Sequence, residues 1–272
     1  MPKIKINDIN MYYHLRGQGP PLMMIMGWTA NMDWWPESLV ERLKKQYSLV
    51  LFDNRGSGRT DGSKGCYHMG QFAKDAAALM DALDIRKADV FGVSMGGMIA
   101  QEMAIRYPDR INRLILGCTT CGSRKGRTIS LPSLFYAPLY SLRFPPNIDK
   151  WLLSLTLSQY SLDKSKSRDF IRRIKIAPIG RVNKWKQFFA IKRFQSHAEL
   201  NNIVCPVLLM TGTRDFLVPH RNTDILAALI PQSQIIKFPG ASHAFIGDDP
   251  DAVFQAIDDF LRPREGSAAG NA

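Results

Sequence analysis

A serine between two glycines stands directly after an apolar run in "DVFGVSMGGM", residues 89–98. Gly92 and Gly96 lie two positions before and two positions after Ser94. Glycine on both sides indicates a crowded backbone, because a strand that turns sharply into a helix leaves no room for Cβ atoms. The residue at the apex of such a turn projects its side chain outward. The hydroxyl of Ser94 could therefore act as a nucleophile if a base, an acid and oxyanion donors lie elsewhere in the chain.

Two polar residues that could assist Ser94 follow later apolar runs. Asp215 comes after "PVLLMTG" and His243 comes after "SQIIKF". A serine hydroxyl is a poor nucleophile at neutral pH, so it needs a histidine to take its proton and a carboxylate to hold that histidine in the right tautomer. The remaining histidines lack a comparable setting and are interpreted as surface or structural residues: His14, His68, His197 and His220.

The surrounding sequence predicts strands that alternate with helices. Short apolar or alternating runs predict strands in "KIKIN", "MYYHLR", "LMMIM", "SLVLFD", "ADVFGV", "INRLILG", "CPVLLMTG" and "SQIIKF". Helical patterns lie at about 37–45, 71–83, 95–107, 222–229 and 250–261. This alternation is typical of βαβ units, so the predicted fold class is α/β with a mostly parallel, doubly wound sheet.

The alternation is interrupted once, which predicts an inserted segment. Residues 119–198 contain Pro-rich apolar pieces and basic helical pieces without a clear strand, and they are predicted to form a helical cap insertion. Residues 1–118 and 199–264 are predicted to form the core. The tail 265–272, "EGSAAGNA", has little apolar surface to bury and is expected to be disordered.

The positive charge of the chain is concentrated in this insertion. Residues 119–198 carry 16 Lys and Arg and three acids, a net +13, whereas the whole chain has +12 and the remainder is therefore near −1. A solvated helical face is one interpretation of such a run. The alternative is electrostatic attraction of an acidic carrier protein or an anionic ester. Nucleic acid is not favoured as a partner, since the sequence has charge but no recognition motif.

These motifs resemble those of the α/β-hydrolase family over nearly the whole chain, most closely in "GVSMGGMIAQEMAIRYPDRINRLIL" and in the branch of esterases, enol-lactonases and perhydrolases. The resemblance implies that Ser94 is the nucleophile, Asp215 the acid and His243 the base, in the chain order of that fold. It also implies that the backbone N–H groups of Trp28 and Met95 form the oxyanion hole. Met26-Gly27 stands where relatives have His-Gly. We expect the hole to be retained, because a backbone amide supplies it.

A serine nucleophile favours acyl transfer, so the predicted function is that of a carboxylesterase working through an acyl-enzyme on a small-molecule ester or lactone. No cofactor and no metal are expected. Four alternatives stay open: a lactonase, a carbon–carbon bond hydrolase, a hydrolase of carrier-linked esters, and a ligand-binding receptor on the same fold. The carbon–carbon hydrolases commonly have Trp after the catalytic His, where this chain has Ala244.

Other features of the sequence predict little chemistry. No apolar run reaches the roughly 18–20 residues of a transmembrane helix, so a cytoplasmic protein is expected. Four cysteines are too few and too scattered for a disulfide framework, and Cys118 and Cys121 form a C-x-x-C without a second ligand pair. The loop "DNRGSGRTDG" lacks the lysine of a phosphate-binding loop and is interpreted as a structural turn.

Overall fold

Eight strands form one sheet across the part of the chain that the structure describes. This structure is a computed structural model, and it describes residues 3–126, 170 and 172–262. The strands are β1 (Lys3–Ile6), β2 (Ile9–Arg16), β3 (Pro21–Ile25), β4 (Ser48–Phe52), β5 (Ala88–Val93), β6 (Ile111–Gly117), β7 (Val207–Gly212) and β8 (Ser233–Phe238). Their order in the sheet is β1-β2-β4-β3-β5-β6-β7-β8. The first two strands pair antiparallel, as do β2 and β4, and every other pairing is parallel.

Helices cover both faces of this sheet. The α-helices are α1 (Glu37–Leu43), α2 (Met69–Ala82), α3 (Met95–Arg106), α4 (Arg181–Arg193), α5 (Arg221–Leu229), α6 (Phe245–Asp248) and α7 (Pro250–Leu261). Short 3₁₀ turns occur at Met32–Trp34, Pro108–Arg110 and Leu200–Asn202. Two hydrophobic clusters follow from this layering, one containing residues of α2, α3 and α5 and the other residues of α1 and α7. The predicted doubly wound α/β-hydrolase architecture is confirmed.

The alternation of side chains along the central strands explains the two clusters. Met23 and Ile25 of β3 pack into one cluster, whereas Leu22 and Met24 pack into the other. Successive residues of a strand point to opposite faces of the sheet, so a strand covered on both faces must be apolar throughout. This is why "LMMIM" appears as a continuous apolar run rather than an alternating one.

The segment predicted as a cap leaves and re-enters the core at one place. Gly122 and Gln195 form an antiparallel bridge, and Ser196 N–H donates to the Cys121 carbonyl at 3.0 Å. Of the predicted insertion 119–198, the structure describes the two ends, including α4. Residues 127–169 and the predicted disordered tail 265–272 lie outside the described residues, so the domain boundaries stay a prediction.

The glycines around Ser94 provide a test of the packing at this turn. A Cβ on Gly96 would lie 2.1 Å from the Ile25 carbonyl oxygen, whereas a Cβ on Gly180 would meet nothing within 4 Å. We expect Gly96→Ala to destabilise the protein by about 1–3 kcal/mol, because the backbone of β3 must shift. Thermal unfolding should show a Tm lower by about 2–4 °C per kcal/mol for a chain of this size. Equal Tm values for Gly96→Ala and the control Gly180→Ala would contradict this account.

Candidate active site

Ser94 occupies the sharp turn between β5 and α3. Its backbone has φ 56° and ψ −120°, a conformation that L-residues rarely adopt. The turn requires the backbones of Gly92 and Gly96 to lie close together, since a Cβ on Gly92 would lie 2.3 Å from the Gly96 carbonyl oxygen. Ser94 N–H donates to the Gly117 carbonyl at 2.8 Å, which fastens the turn to β6. These contacts present the Ser94 side chain to a cavity above the sheet.

Asp215 and His243 form a hydrogen-bonded pair beyond β7 and β8. The distance between His243 Nδ1 and Asp215 Oδ2 is 2.7 Å. The other carboxylate oxygen, Oδ1, accepts the N–H groups of Leu217 and Val218 at 2.9 and 2.8 Å. The carboxylate is buried, and its three partners hold it in one orientation. The pair therefore directs the second imidazole nitrogen, Nε2, away from Asp215 and towards the cavity.

The electrostatic surroundings of His243 favour its charged form. Burial opposes the charge, but the Asp215 carboxylate and the adjacent Cys118 sulfur outweigh it and raise the pKa of His243 well above its ordinary value. The imidazolium that forms when this histidine takes a proton is thus stabilised.

The loop after β3 passes directly over Ser94 and carries Trp28. A Cβ on Gly27 would lie 3.1 Å from Ser94 Cβ. In the described part of the chain, the N–H groups of Trp28 and Met95 donate to no protein acceptor. Both residues line the cavity beside Ser94. Two unused amide donors beside a serine hydroxyl are the arrangement that an oxyanion hole requires.

Side chains distant in sequence hold this loop in place. Asn54 Nδ2 donates to the Met26 carbonyl at 2.8 Å. Gln187 of α4 accepts from Thr29 N–H at 3.2 Å, and its Nε2 donates to the Arg55 carbonyl at 3.1 Å. Asn54 and Gln187 thus support the backbone around Met26-Gly27. Asn54 and Arg55 belong to the loop "DNRGSGRTDG", so this loop helps to hold the backbone after β3.

Cys118 is the residue beside His243 that the sequence reasoning did not assign to the site. Its Sγ lies 3.9 Å from His243 Nε2. No hydrogen bond joins Ser94 to His243 among residues 3–126 and 172–262. Catalytic hydrogen bonds are often loose in ligand-free structures and tighten when substrate binds. The structure therefore brings three polar side chains to one place, at the ends of β5, β6 and β8.

The cavity above these residues has a volume of about 670 Å³. Its walls are mainly apolar and aromatic, with Trp28, Trp34, Phe170, Trp185 and Phe188 among the lining residues. Basic residues also line it, namely Arg173, Lys184 and Lys192. No carboxylate lines it among the described residues. The described residues therefore offer no counter-charge to a substrate ammonium, whereas their apolar and aromatic side chains suit an apolar acyl or aromatic group.

Comparison with known proteins gives the family. Residues 20–250 match the family described as alpha/beta hydrolase fold. The protein named "Putative non-heme bromoperoxidase BpoC" from Mycobacterium tuberculosis is 30% identical over 255 residues, which cover 92% of this chain and 96% of the relative. The chain belongs to the alpha/beta hydrolase family.

Solved structures agree with this assignment. The hydrolase is similar to a thermophilic esterase from Thermogutta terrifontis, with a TM-score of 0.80 and 25% identity over 96% of this chain and 98% of the other. It is also similar to the enol-lactonase from Burkholderia xenovorans LB400, with a TM-score of 0.81 and 22% identity over 96% and 99% of the two chains. The second likeness shows the fold. No helix in the described ranges is long and apolar enough to cross a membrane.

The direction of the His243 pKa shift predicts the pH dependence of hydrolysis. With His243 as the proposed base, only its neutral form is active, and a raised pKa means that this form is lost at a higher pH than in a free histidine. We expect kcat/KM for p-nitrophenyl acetate to fall below a midpoint above about 6.5. Asp215→Asn should lower both the midpoint and the rate, whereas Asp224→Asn, which removes an exposed acid paired with Lys237, should change neither. A midpoint unmoved by Asp215→Asn would count against the assignment.

Proposed function

We propose that this hydrolase is a carboxylesterase that forms an acyl-enzyme on Ser94. The observation that carries the proposal is the 2.7 Å contact between His243 Nδ1 and Asp215 Oδ2 at the wall of the cavity into which Ser94 projects. The hydrogen bond to Asp215 leaves Nε2 as the nitrogen able to accept a proton from a hydroxyl.

The proposed reaction has two steps. Ser94 Oγ bonds to the acyl carbon while its proton passes to His243 Nε2, and the carbonyl electron pair moves onto oxygen. The N–H groups of Trp28 and Met95 donate to that oxyanion. The intermediate then expels the alcohol, which takes the proton from His243. Water, deprotonated by the same nitrogen, attacks the acyl-enzyme and releases the carboxylic acid.

The cavity favours an ester with an apolar or aromatic group. Its aromatic walls exclude water from the acyl chain, and Arg173, Lys184 and Lys192 offer positive charge to an anionic substituent. A lactone undergoes the same chemistry, and the structural likeness to an enol-lactonase keeps a cyclic ester as the second candidate. The likeness to an esterase at 25% identity supports the open-chain ester as the first.

Replacement of the proposed nucleophile tests the mechanism directly. We expect Ser94→Ala to lose at least about 10³-fold of kcat on p-nitrophenyl esters of graded chain length, because the acyl-enzyme cannot form. A fluorophosphonate should label the wild type at Ser94, as read by peptide mass spectrometry. The matched control is Ser123→Ala, which changes another serine of the cavity wall and should keep most activity. Retention of activity by Ser94→Ala would show that the mechanism is wrong.

Helix α4 presents a charged and apolar face to solvent beside this cavity. Three large apolar side chains on it are exposed, namely Val182 at 68%, Trp185 at 49% and Phe189 at 52%. The exposed cations that flank them are Arg181, Lys192 and Arg193. In the described residues these three cations form no ion pair with an acid. Trp185 and Lys192 also line the cavity, so this face of α4 is continuous with the cavity wall. Its cations and apolar side chains suit an anionic amphiphilic ester.

The basic run Arg168, Arg172, Arg173 and Lys175 of the predicted insertion is another candidate for attracting an anionic partner. Arg173 Nη1 donates to the Trp35 carbonyl at 3.0 Å, so this residue packs against the core. Arg168, by contrast, lies outside the described residues. Arg181 and Arg193 are therefore the better probes of electrostatic attraction, because they are exposed and do not line the cavity.

Salt dependence tests the role of these cations. We expect kcat/KM for an anionic or carrier-linked ester to fall as salt rises, because charges act over about 8 Å at physiological ionic strength. Arg181→Glu/Arg193→Glu should reproduce that fall at low salt and leave a neutral ester nearly unaffected. Lys5→Glu/Lys45→Glu makes the same change in net charge at exposed positions on other elements and serves as the control. If both ester types respond to salt in the same way, the basic face is a solvated surface and does not attract the substrate.

A further inference from the structure

Cys118 lies at the floor of the cavity but has no role in the proposed esterase reaction. It follows β6 directly, with φ 40°, and its N–H donates to the Met210 carbonyl at 2.8 Å. The residue is 3% exposed, and it lines the cavity together with Ser94 and His243. The bond to Met210 fixes the backbone that carries this buried thiol, so its sulfur has a defined place in the cavity wall.

The contact between Cys118 and His243 is poor as a hydrogen bond. At 3.9 Å the separation of Sγ and Nε2 is near the upper limit for a bond to sulfur. A tetrahedral Zn²⁺ ion with bonds of about 2.3 Å to sulfur and about 2.0–2.1 Å to nitrogen holds its two ligands about 3.6 Å apart. The observed separation exceeds that value by a few tenths of an ångström, which a small rotation of the thiol removes. The two atoms are thus spaced as a pair of metal ligands.

The remaining surroundings also suit a soft cation. Cys118, Asp215 and His243 place one potential ligand atom each within 4.8 Å of one another. The Asp215 carboxylate is hydrogen-bonded to Nδ1 of His243. Metal-binding histidines are commonly oriented in this way, by a carboxylate on the nitrogen that does not bind the metal. Thiolate and imidazole ligands favour Zn²⁺ over Mg²⁺ or Ca²⁺.

We propose that Cys118 Sγ and His243 Nε2 bind a thiophilic divalent cation of the Zn²⁺ type, and that its occupancy stops hydrolysis. Asp215 acts as the orienting residue behind His243, and solvent in the cavity supplies the remaining ligands. Binding forms one metal–sulfur and one metal–nitrogen bond, releases to solvent the thiol proton and, where the imidazole is charged, the Nε2 proton, and involves no redox change. The inhibition rests on the proposed function, because the ion takes the lone pair that the base must use. The binding itself does not.

Direct metal binding is the first test, since it needs no substrate. Untagged full-length protein is titrated with ZnCl₂ by calorimetry and with CoCl₂ by absorption, where a thiolate ligand gives a charge-transfer band in the near ultraviolet. We expect the wild type and Ser94→Ala to bind and to show the band. Cys118→Ser should bind at least about tenfold more weakly and lack the band. The matched controls Cys121→Ser and Cys66→Ser, one buried and one exposed thiol, should behave as the wild type.

Inhibition is the second test. We expect ZnCl₂, but not MgCl₂, to inhibit ester hydrolysis by the wild type, with recovery on addition of EDTA. Cys118→Ser, compared with its own zinc-free rate, should need at least about tenfold more Zn²⁺ for the same inhibition. Equal zinc affinity of Cys118→Ser and wild type would overturn the proposal, as would loss of the cobalt band in Cys66→Ser. If Cys118→Ser does not fold, the wild type is sufficient for the test. Absence of the cobalt band from the wild type would then overturn the proposal. If the protein hydrolyses no ester but binds as expected, the proposed function fails and the metal site stands.

Discussion

The close approach of three backbone segments beneath Ser94 is the constraint on which the rest of the site depends. The turn after β5 fits only because Gly92 and Gly96 lack side chains, and Gly96 lies against the carbonyl of Ile25 at the end of β3. That contact brings the start of α3 and the loop that carries Trp28 to the same point. The strained backbone of Ser94 costs on the order of 1–3 kcal/mol, and it persists because β6 holds the turn through the Gly117 carbonyl.

Helix α4 completes the site from outside the sheet. Gln187 is fully buried and bridges the loop after β3 to the loop after β4 through Thr29 and Arg55. Trp28 Nε1 donates to the Lys184 carbonyl at 3.0 Å, which adds a second tie between the oxyanion loop and this helix. A change in the position of α4 would therefore move the proposed oxyanion donors as well as the cavity wall. Through α4, the predicted cap segment is thus bonded to the core loop that carries Trp28.

The sequence predicts the helices and strands from local periodicity. It predicts the proposed triad because each of its residues follows a predicted strand. Helices α3 and α7 were predicted within one residue of their ends, and α1 ends two residues earlier than its pattern indicated. By contrast, Gln187 is more than 100 residues from the backbone groups that it bonds. A glutamine in a basic helix has no local signature of such a role. The arrangement of loops around Met26-Gly27 could be obtained only from the three-dimensional packing.

Cys118 shows the same limit in another form. Its C-x-x-C spacing pairs it with Cys121 in the sequence, whereas its neighbour in the cavity is His243, 125 residues later in the chain. The two meet because β6 and β8 both flank β7, so the residues after these strands converge at one edge of the sheet. The position of Cys118 directly after the predicted strand "INRLILG" was the one available signal.

Ser94 and Cys118 both line the cavity, but they differ in what surrounds the negative charge that an acyl transfer would develop. Ser94 lies at the N-terminus of α3, where the amide of Met95 donates to no acceptor among the described residues and the helix dipole favours an oxyanion. Cys118 lies at the end of a strand, and its own N–H is already bonded to the Met210 carbonyl. A thiolate there has a histidine beside it, but the N–H of Cys118 is not free to donate to a tetrahedral oxyanion. With Ser94 as the proposed nucleophile, the serine has surroundings that favour the oxyanion, and Cys118 is left as the proposed ligand that competes for the same imidazole nitrogen.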